Sequence, residues 1–288
     1  MALFKKNEDK EEQEPQYYTS LINTPAYNYK VYYMSMIEKI IVTLLAIIVG
    51  AAIGYLFYGG IGKDEYGNAT NVTHIMNAIT CGIGAFVAIK IAIPARINSC
   101  KKKQQEKIKI QFRDMLEDLT TSVGSGKNVP DAFRSVYNDL KMQYEDGALI
   151  LNELEIIITG MQNNIDIEVL LEDFGKRSGN DDILSFANVF KVSYRKGGNI
   201  ADVLRNTSNI IGDKMEIASD IETVITGSKN ELNIMMVMPV GLIGMIKYMS
   251  ADFASNFTTP VGIMSTTIGI VLFIVAYYTG KAVMEIKM

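Results

Sequence analysis

Charged residues avoid four stretches of this chain almost entirely. Residues 40–62 carry no charge, 75–95 are broken only by Lys90, 232–251 only by Lys247, and 261–280 not at all. Each stretch is 20–23 residues long, and about 20 mainly apolar residues cross a bilayer as a helix. A soluble core can hide one such helix, but four predict a polytopic membrane protein. The first stretch is too long and starts too late for a signal peptide.

Between the second and third stretches the pattern changes to one apolar stripe per helix. Phe112, Met115, Leu116, Leu119 and Val123 recur at steps of three and four. The same spacing runs through Val129, Ala132, Phe133, Val136 and Leu140, and through Ile167, Leu170, Leu171 and Phe174. It continues in Ile183, Phe186, Ala187, Phe190 and Tyr194, then in Ile200, Val203, Leu204, Thr207 and Ile211. With a further helix over 148–161, six helices are predicted, burying their stripes against one another as a bundle. No alternating run long enough for a sheet appears there. The predicted fold is all-α, with four transmembrane helices and one six-helix bundle.

The chain then divides into a polar tail (1–36), a first membrane hairpin (37–97), a helical domain (98–230) and a second hairpin with a short tail (231–288). The tail opens with KKNEDKEEQEPQ and turns tyrosine-rich, a composition that predicts disorder up to the first helix. Pro239 predicts a kink in the third membrane helix, which neighbouring helices tolerate. Gly50 and Gly54 give one small-xxx-small spacing, which suggests close helix packing.

Charge adds orientation. Arg96, Lys101, Lys102, Lys103, Lys107 and Lys109 crowd the exit of the second apolar stretch. Lys5, Lys6 and Lys10 lie in the tail, Lys281 and Lys287 at the other terminus, and the first hairpin loop offers only Lys63. Basic loops stay cytoplasmic, so both termini and the 98–230 domain are expected in the cytoplasm. The net charge of −4 does not bear on this, since acidic residues hardly affect topology. Lys90 and Lys247 lie near helix ends, where a long side chain snorkels to the interface. An ion pathway is the other reading of such residues.

One phrase occurs twice. GKNVPDAFR (126–134) and GGNIADVLR (197–205) share Gly, Asn, Asp and Arg with matching apolar positions. A nucleotide loop needs Gly, four residues, Gly-Lys and then Ser or Thr after a strand. Here Thr121 holds the first glycine position and Asn128 the hydroxyl position, so no phosphate cradle is expected. Gly126 and Gly197 instead follow a helix end, where a residue without Cβ takes the left-handed conformation. Asn128 and Asn199 are N-cap residues, and Asp131 and Asp202 stand three residues on as in a capping box. Pro130 fits a first turn. Each phrase is a helix–turn–helix corner, produced either by a three-helix pseudo-repeat or by convergent capping. Gly198 completes the second corner.

Catalytic chemistry is sparse. His74 is the single histidine, at the outer end of a membrane stretch, and Cys81 and Cys100 have no ligand partner at a useful spacing. Glu145–Asp146, Glu172–Asp173 and Asp181–Asp182 could hold a divalent cation, or be solvated helix faces. No enzyme, no cofactor and no nucleic-acid partner is expected. A small transporter or channel subunit with a helical regulatory domain is the alternative class. It would want polar residues near mid-bilayer.

The order of motifs resembles a known family. FRDMLEDLTTSVGSGKNVPDAF, then ELEIIITGMQNNIDIEVLLEDFGKRSG with Glu153, Gly160, Phe174 and Arg177, then ILSFANVFKVSYRKGGNIADVL, precede a membrane hairpin. This is similar to the F domain of type II secretion and type IV pilus platform proteins. One such domain between paired membrane helices resembles the tight-adherence (Flp) branch, the TadB/TadC-like proteins. The resemblance spans about residues 105–280. It implies a non-enzymatic inner-membrane platform whose cytoplasmic domain engages a hexameric assembly ATPase. It implies membrane helices that meet pilin subunits, and a second platform protein or self-association. Gly126, Asn128, Asp131, Arg177, Gly197, Gly198, Asn199 and Asp202 are the candidates for partner contact or for the corners themselves.

Overall fold

The computed structural model describes residues 14–62 and 68–284. Lys5, Lys6, Lys10, Lys63 and Lys287 lie outside them. Two three-residue strands, β1 (Tyr17–Thr19) and β2 (Pro25–Tyr27), pair antiparallel with Tyr18 opposite Ala26. Nine helices follow among the described residues: α1 (Met36–Tyr58), α2 (Asn71–Gly124), α3 (Val129–Gln143), α4 (Leu149–Gln162), α5 (Ile167–Ser178), α6 (Asp181–Arg195), α7 (Ile200–Met249), α8 (Ala251–Asn256) and α9 (Pro260–Met284). The chain is nearly all helical, and α1, α2, α7 and α9 are each long and apolar enough to cross a membrane.

Two of those helices exceed the lengths the apolar stretches suggested. α2 has 54 residues and α7 has 50. No capping turn separates the apolar part of α2 from the stripe at 112–123, nor the stripe of α7 from its apolar part. The hydrogen-bonded ladder therefore continues, and Pro94 and Pro239 are carried inside the helices. The described residues form two compact units, divided before α1 and inside α2 and α7: one of residues 14–33 and 97–214, the other of residues 34–62, 68–96 and 215–284.

The first unit has a conventional apolar core. Phe112, Met115, Leu116 and Leu119 of α2, Phe133, Val136 and Leu140 of α3, and Ile150, Leu154 and Ile157 of α4 are buried. Leu170, Leu171 and Phe174 of α5, Ile183, Phe186 and Phe190 of α6, and Leu204 and Ile211 of α7 complete it. Tyr194, expected on the α6 stripe, is exposed but stacks on Phe190 at 5.4 Å. At roughly 1.5–3 kcal/mol per fully buried large apolar side chain, this burial is the main stabilising term.

The tail is not disordered up to the first helix. From Glu14 onward it is described and packed, with Ala26, Asn28 and Tyr29 buried. Composition averaged over 1–36 hides six tyrosines between residues 14 and 33. Those rings supply the apolar area that the charged start of the tail lacks.

In the second unit α1 lays a glycine face on α2. A Cβ on Gly50 would stand 2.4 Å from the Gly84 carbonyl oxygen, and one on Gly54 2.5 Å from that of Thr80. Only hydrogen fits there, so Gly50 and Gly54 permit the close approach. Lys247 donates to the Leu56 carbonyl at 2.8 Å and lies 5.1 Å from the Phe257 ring centroid. The ammonium thus meets the carbonyl end of α1, where the helix dipole favours a cation.

Candidate interaction site

Arg177 of α5 is buried, with 4% of its side chain exposed, against Glu153 of α4, with 1%. Its Nη1 donates to Oε1 at 2.8 Å and its Nη2 to Oε2 at 2.7 Å, a two-pronged pair. Nε donates to Asp173 at 2.7 Å, and Nη1 also reaches the Tyr27 carbonyl at 3.0 Å. Every branch of the guanidinium is occupied. Burial works against its charge, yet the surrounding carboxylates hold its pKa above the ordinary arginine value.

Tyr29 closes this network from the tail. Its hydroxyl donates to Glu153 Oε1 at 2.9 Å, and its backbone N–H to the Arg177 carbonyl at 3.0 Å. Its ring stands 6.5 Å from that of Phe174, which continues to Phe112 at 5.9 Å. Burial, with Glu153 beside it, raises the phenol pKa well above its usual range. Residues 14–33 are therefore a strap, folded on itself by β1–β2 pairing and bound to the helices through Tyr29 and the Tyr27 carbonyl.

The corners are two well-formed helix stops and starts. Gly126 has φ +91° and Gly197 φ +67°. At the first, Gly126 N–H donates to the Val123 carbonyl and Lys127 N–H to that of Ser122, the paired bonds of a Schellman stop. At the second, Gly198 N–H donates to the Ser193 carbonyl at 2.8 Å. Asn128 Oδ1 accepts from Asp131 N–H at 2.9 Å, and Asn199 Oδ1 from Asp202 N–H at 3.4 Å. The aspartates differ from a capping box. The Asp202 carboxylate accepts from the Asn199 side-chain amide at 2.7 Å, and that of Asp131 faces Arg134 at 3.5 Å.

A three-helix pseudo-repeat does not account for the doubling. The first corner joins α2 to α3 and the second joins α6 to α7, four helices apart in order. A three-helix repeat would put the second copy between α5 and α6. That turn holds a third version: Gly179 at φ +63°, then Asn180 as N-cap, accepting from Asp182 and Ile183 N–H. Convergent capping explains all three. Among the described residues no hydrogen bond or ion pair joins one corner to the other, or either to Arg177.

The sequence reading missed Tyr29 altogether, and it named Glu153 and Asp182 only as a motif position and as half of an acidic pair, without the partners they meet. Glu153 interrupts the buried stripe Ile150, Leu154, Ile157, and a carboxylate at an apolar position signals a buried partner. Asp182 lies between the two long helices: its Oδ2 is 3.4 Å from Lys109 Nζ of α2, and its Oδ1 accepts from Lys214 of α7. Burial would raise its pKa, but the Lys214 hydrogen bond and the Lys109 charge outweigh that and lower it. Glu172 accepts from Lys176 and Lys191, both at 2.7 Å, which lower its carboxyl to about 2. Asp182, Glu172 and Asp173 thus face cations of the chain itself. Among the described residues no group of three or more His, Cys, Asp or Glu is arranged to hold a metal.

The arrangement is held by a buried ion pair and by capped turns. It offers a stapled helical domain whose two long helices run into apolar spans. No curated protein and no solved structure matches the chain significantly. Residues 102–246, half of the chain, match the family described as type II secretion system (T2SS), protein F. The matched segment holds both corners, Glu153, Arg177 and Asp182, together with most of α7. The chain belongs to the T2SS protein F family, the membrane platform proteins of secretion and pilus systems.

Proposed function

We propose that this protein is a non-enzymatic inner-membrane platform of a tight-adherence (Flp)-like type IV pilus or type II secretion machine. It couples a cytoplasmic assembly ATPase to the insertion of pilin subunits, with both termini and the 98–230 domain in the cytoplasm. The six helical stretches of the first unit serve as its cytoplasmic bundle. A second platform protein, or a second copy, completes the assembly.

The observation that carries this reading is the continuity of α2 and α7. The first corner stands at the end of α2 and the second at the start of α7, and each helix runs unbroken into an apolar stretch. At 1.5 Å per residue the two helices are about 80 and 75 Å long. A partner that engages a corner therefore acts on a helix that continues into an apolar stretch. Family membership supports the partner class, since its members are non-enzymatic platforms that work with ATPases.

A flexible insertion tests the coupling. Four glycines placed after Ser219, on an exposed part of α7, break the helix without touching the core. The variant is expected to accumulate in membranes and to bind the ATPase, but to assemble few filaments. Normal filament numbers would show that α7 transmits nothing.

A further inference from the structure

After its apolar run ends at Ala95, α2 carries Arg96, Lys101, Lys102, Lys103, Lys107 and Lys109 against a single acid, Glu106. That is six positive and one negative residue, net +5 over residues 96–109, in a chain of net −4. Within the protein, Arg96 pairs with Glu38 at 2.8 Å and Lys109 with Asp182 at 3.4 Å. Lys102, Lys103 and Lys107 are exposed and Lys101 is half-buried.

Helix register fixes where these side chains point. Ile108, Gln111 and Phe112 are buried in the core, so residues 102, 103, 106 and 107 are turned away from it. Axial distance fixes what they meet. At 1.5 Å per residue, Lys101–Lys103 lie about 9–12 Å beyond Ala95 along the helix, and Lys107 about 18 Å. The headgroup region adds roughly 5–8 Å to each side of the hydrocarbon core. The first three ammonium groups therefore stand at about one Debye length from lipid phosphates, or closer.

We propose that Lys101, Lys102, Lys103 and Lys107 form a docking surface for the headgroups of anionic phospholipids. The occupant follows from charge and place: clustered lysines directly after a membrane span face a continuous negative surface whenever the leaflet contains acidic lipid. Each lysine near such a surface strengthens the interaction about fivefold. The interaction does not require knowing which side of the membrane the domain occupies, nor which filament is assembled.

The purified full-length chain in a neutral detergent provides the test, with retained lipid counted by native mass spectrometry. Phosphatidylglycerol is expected to be retained at least about tenfold over phosphatidylcholine at low salt, with the preference falling as salt rises. Replacing the four lysines together by Gln should remove the preference, and replacing them by Arg should keep it. Equal retention of the two lipids, or a preference unchanged in the Gln variant, would overturn the proposal. So would displacement of phosphatidylglycerol by a stoichiometric acidic peptide, which would make the surface a protein-binding one. Should the Gln variant not fold, the lipid comparison and its salt dependence on the unaltered chain still decide.

Discussion

Arg177 and Glu153 meet through two parallel hydrogen bonds of 2.8 and 2.7 Å, joining α5 to α4 in the interior. Removing one partner strands a buried charge, at a cost of about 3–5 kcal/mol, whereas replacing both by apolar residues costs far less. Arg177→Met is therefore expected to lower the melting temperature of the detergent-solubilised chain sharply. The double variant Glu153→Leu, Arg177→Met should recover part of the loss. Recovery stays incomplete because the Tyr27 carbonyl and the Tyr29 hydroxyl lose partners. Equal melting of single and double variants would contradict this account of the pair.

The strap responds to high pH. Tyr29 keeps its proton in the folded state above the ordinary phenol value of about 10. A raised folded pKa gives stability that is complete below the unfolded value and is lost as pH rises through the folded one. Limited proteolysis in the turn at residues 20–24 should therefore accelerate above about pH 10. Tyr29→Phe should loosen the strap at neutral pH by about 1 kcal/mol, with Glu153 still held by Arg177. It should also abolish the step that titrates with the phenol.

Asp182 gives the opposite pH sign. Its depressed carboxyl contributes stability above the unfolded value of about 3.9, and that stability is lost as pH falls further. Asp182→Asn should flatten the acid limb of the unfolding curve. At neutral pH it should cost no more than about 1 kcal/mol, because Lys214 is more than half exposed. An unchanged acid limb would remove Asp182 as the tie between α2 and α7.

Local patterns in the sequence reveal local structure and stop there. The four apolar stretches, the core stripes from Phe112 to Ile211 and the glycine-plus-asparagine corners all follow from spacing of one to four residues, and the helices that carry them form. The tie between Tyr29 and Glu153 spans 124 residues, and no periodicity encodes it. Disorder was expected for the strap because the acidic and basic start dominates its average, while the aromatic area that folds it is concentrated further on. The continuity of α2 and α7 was legible in principle. Neither corner chemistry nor a paired Gly-Asn occurs between residues 95 and 112 or between 211 and 232, and a helix without a stop signal goes on. Of the site, the corners were visible and the staples were not, since a charged residue shows its partner only after folding.

The corners separate architecture from contact. Asn199→Ala should cost about 1 kcal/mol through the lost cap, and filament number should fall only with protein level. Asp202→Ala removes the carboxylate that accepts from the Asn199 amide. If the corner displays a helix start to a partner, this variant loses filaments while its melting temperature stays near that of the parent. Gly198→Leu is a less clean probe, because a Cβ there would stand 3.2 Å from the Ser193 carbonyl oxygen. Filament counts that follow melting temperature across the series would leave the corners purely structural.

Isolation of the full-length chain from membranes of its own cells tests the platform role most directly. With a C-terminal affinity tag and a mild detergent, a hexameric assembly ATPase and a pilin subunit should copurify. Mass spectrometry should find both in stoichiometric amounts, and both should be lost from a preparation lacking the 98–230 domain. Recovery of the chain with neither protein, from cells that are actively assembling filaments or secreting, would contradict the platform reading.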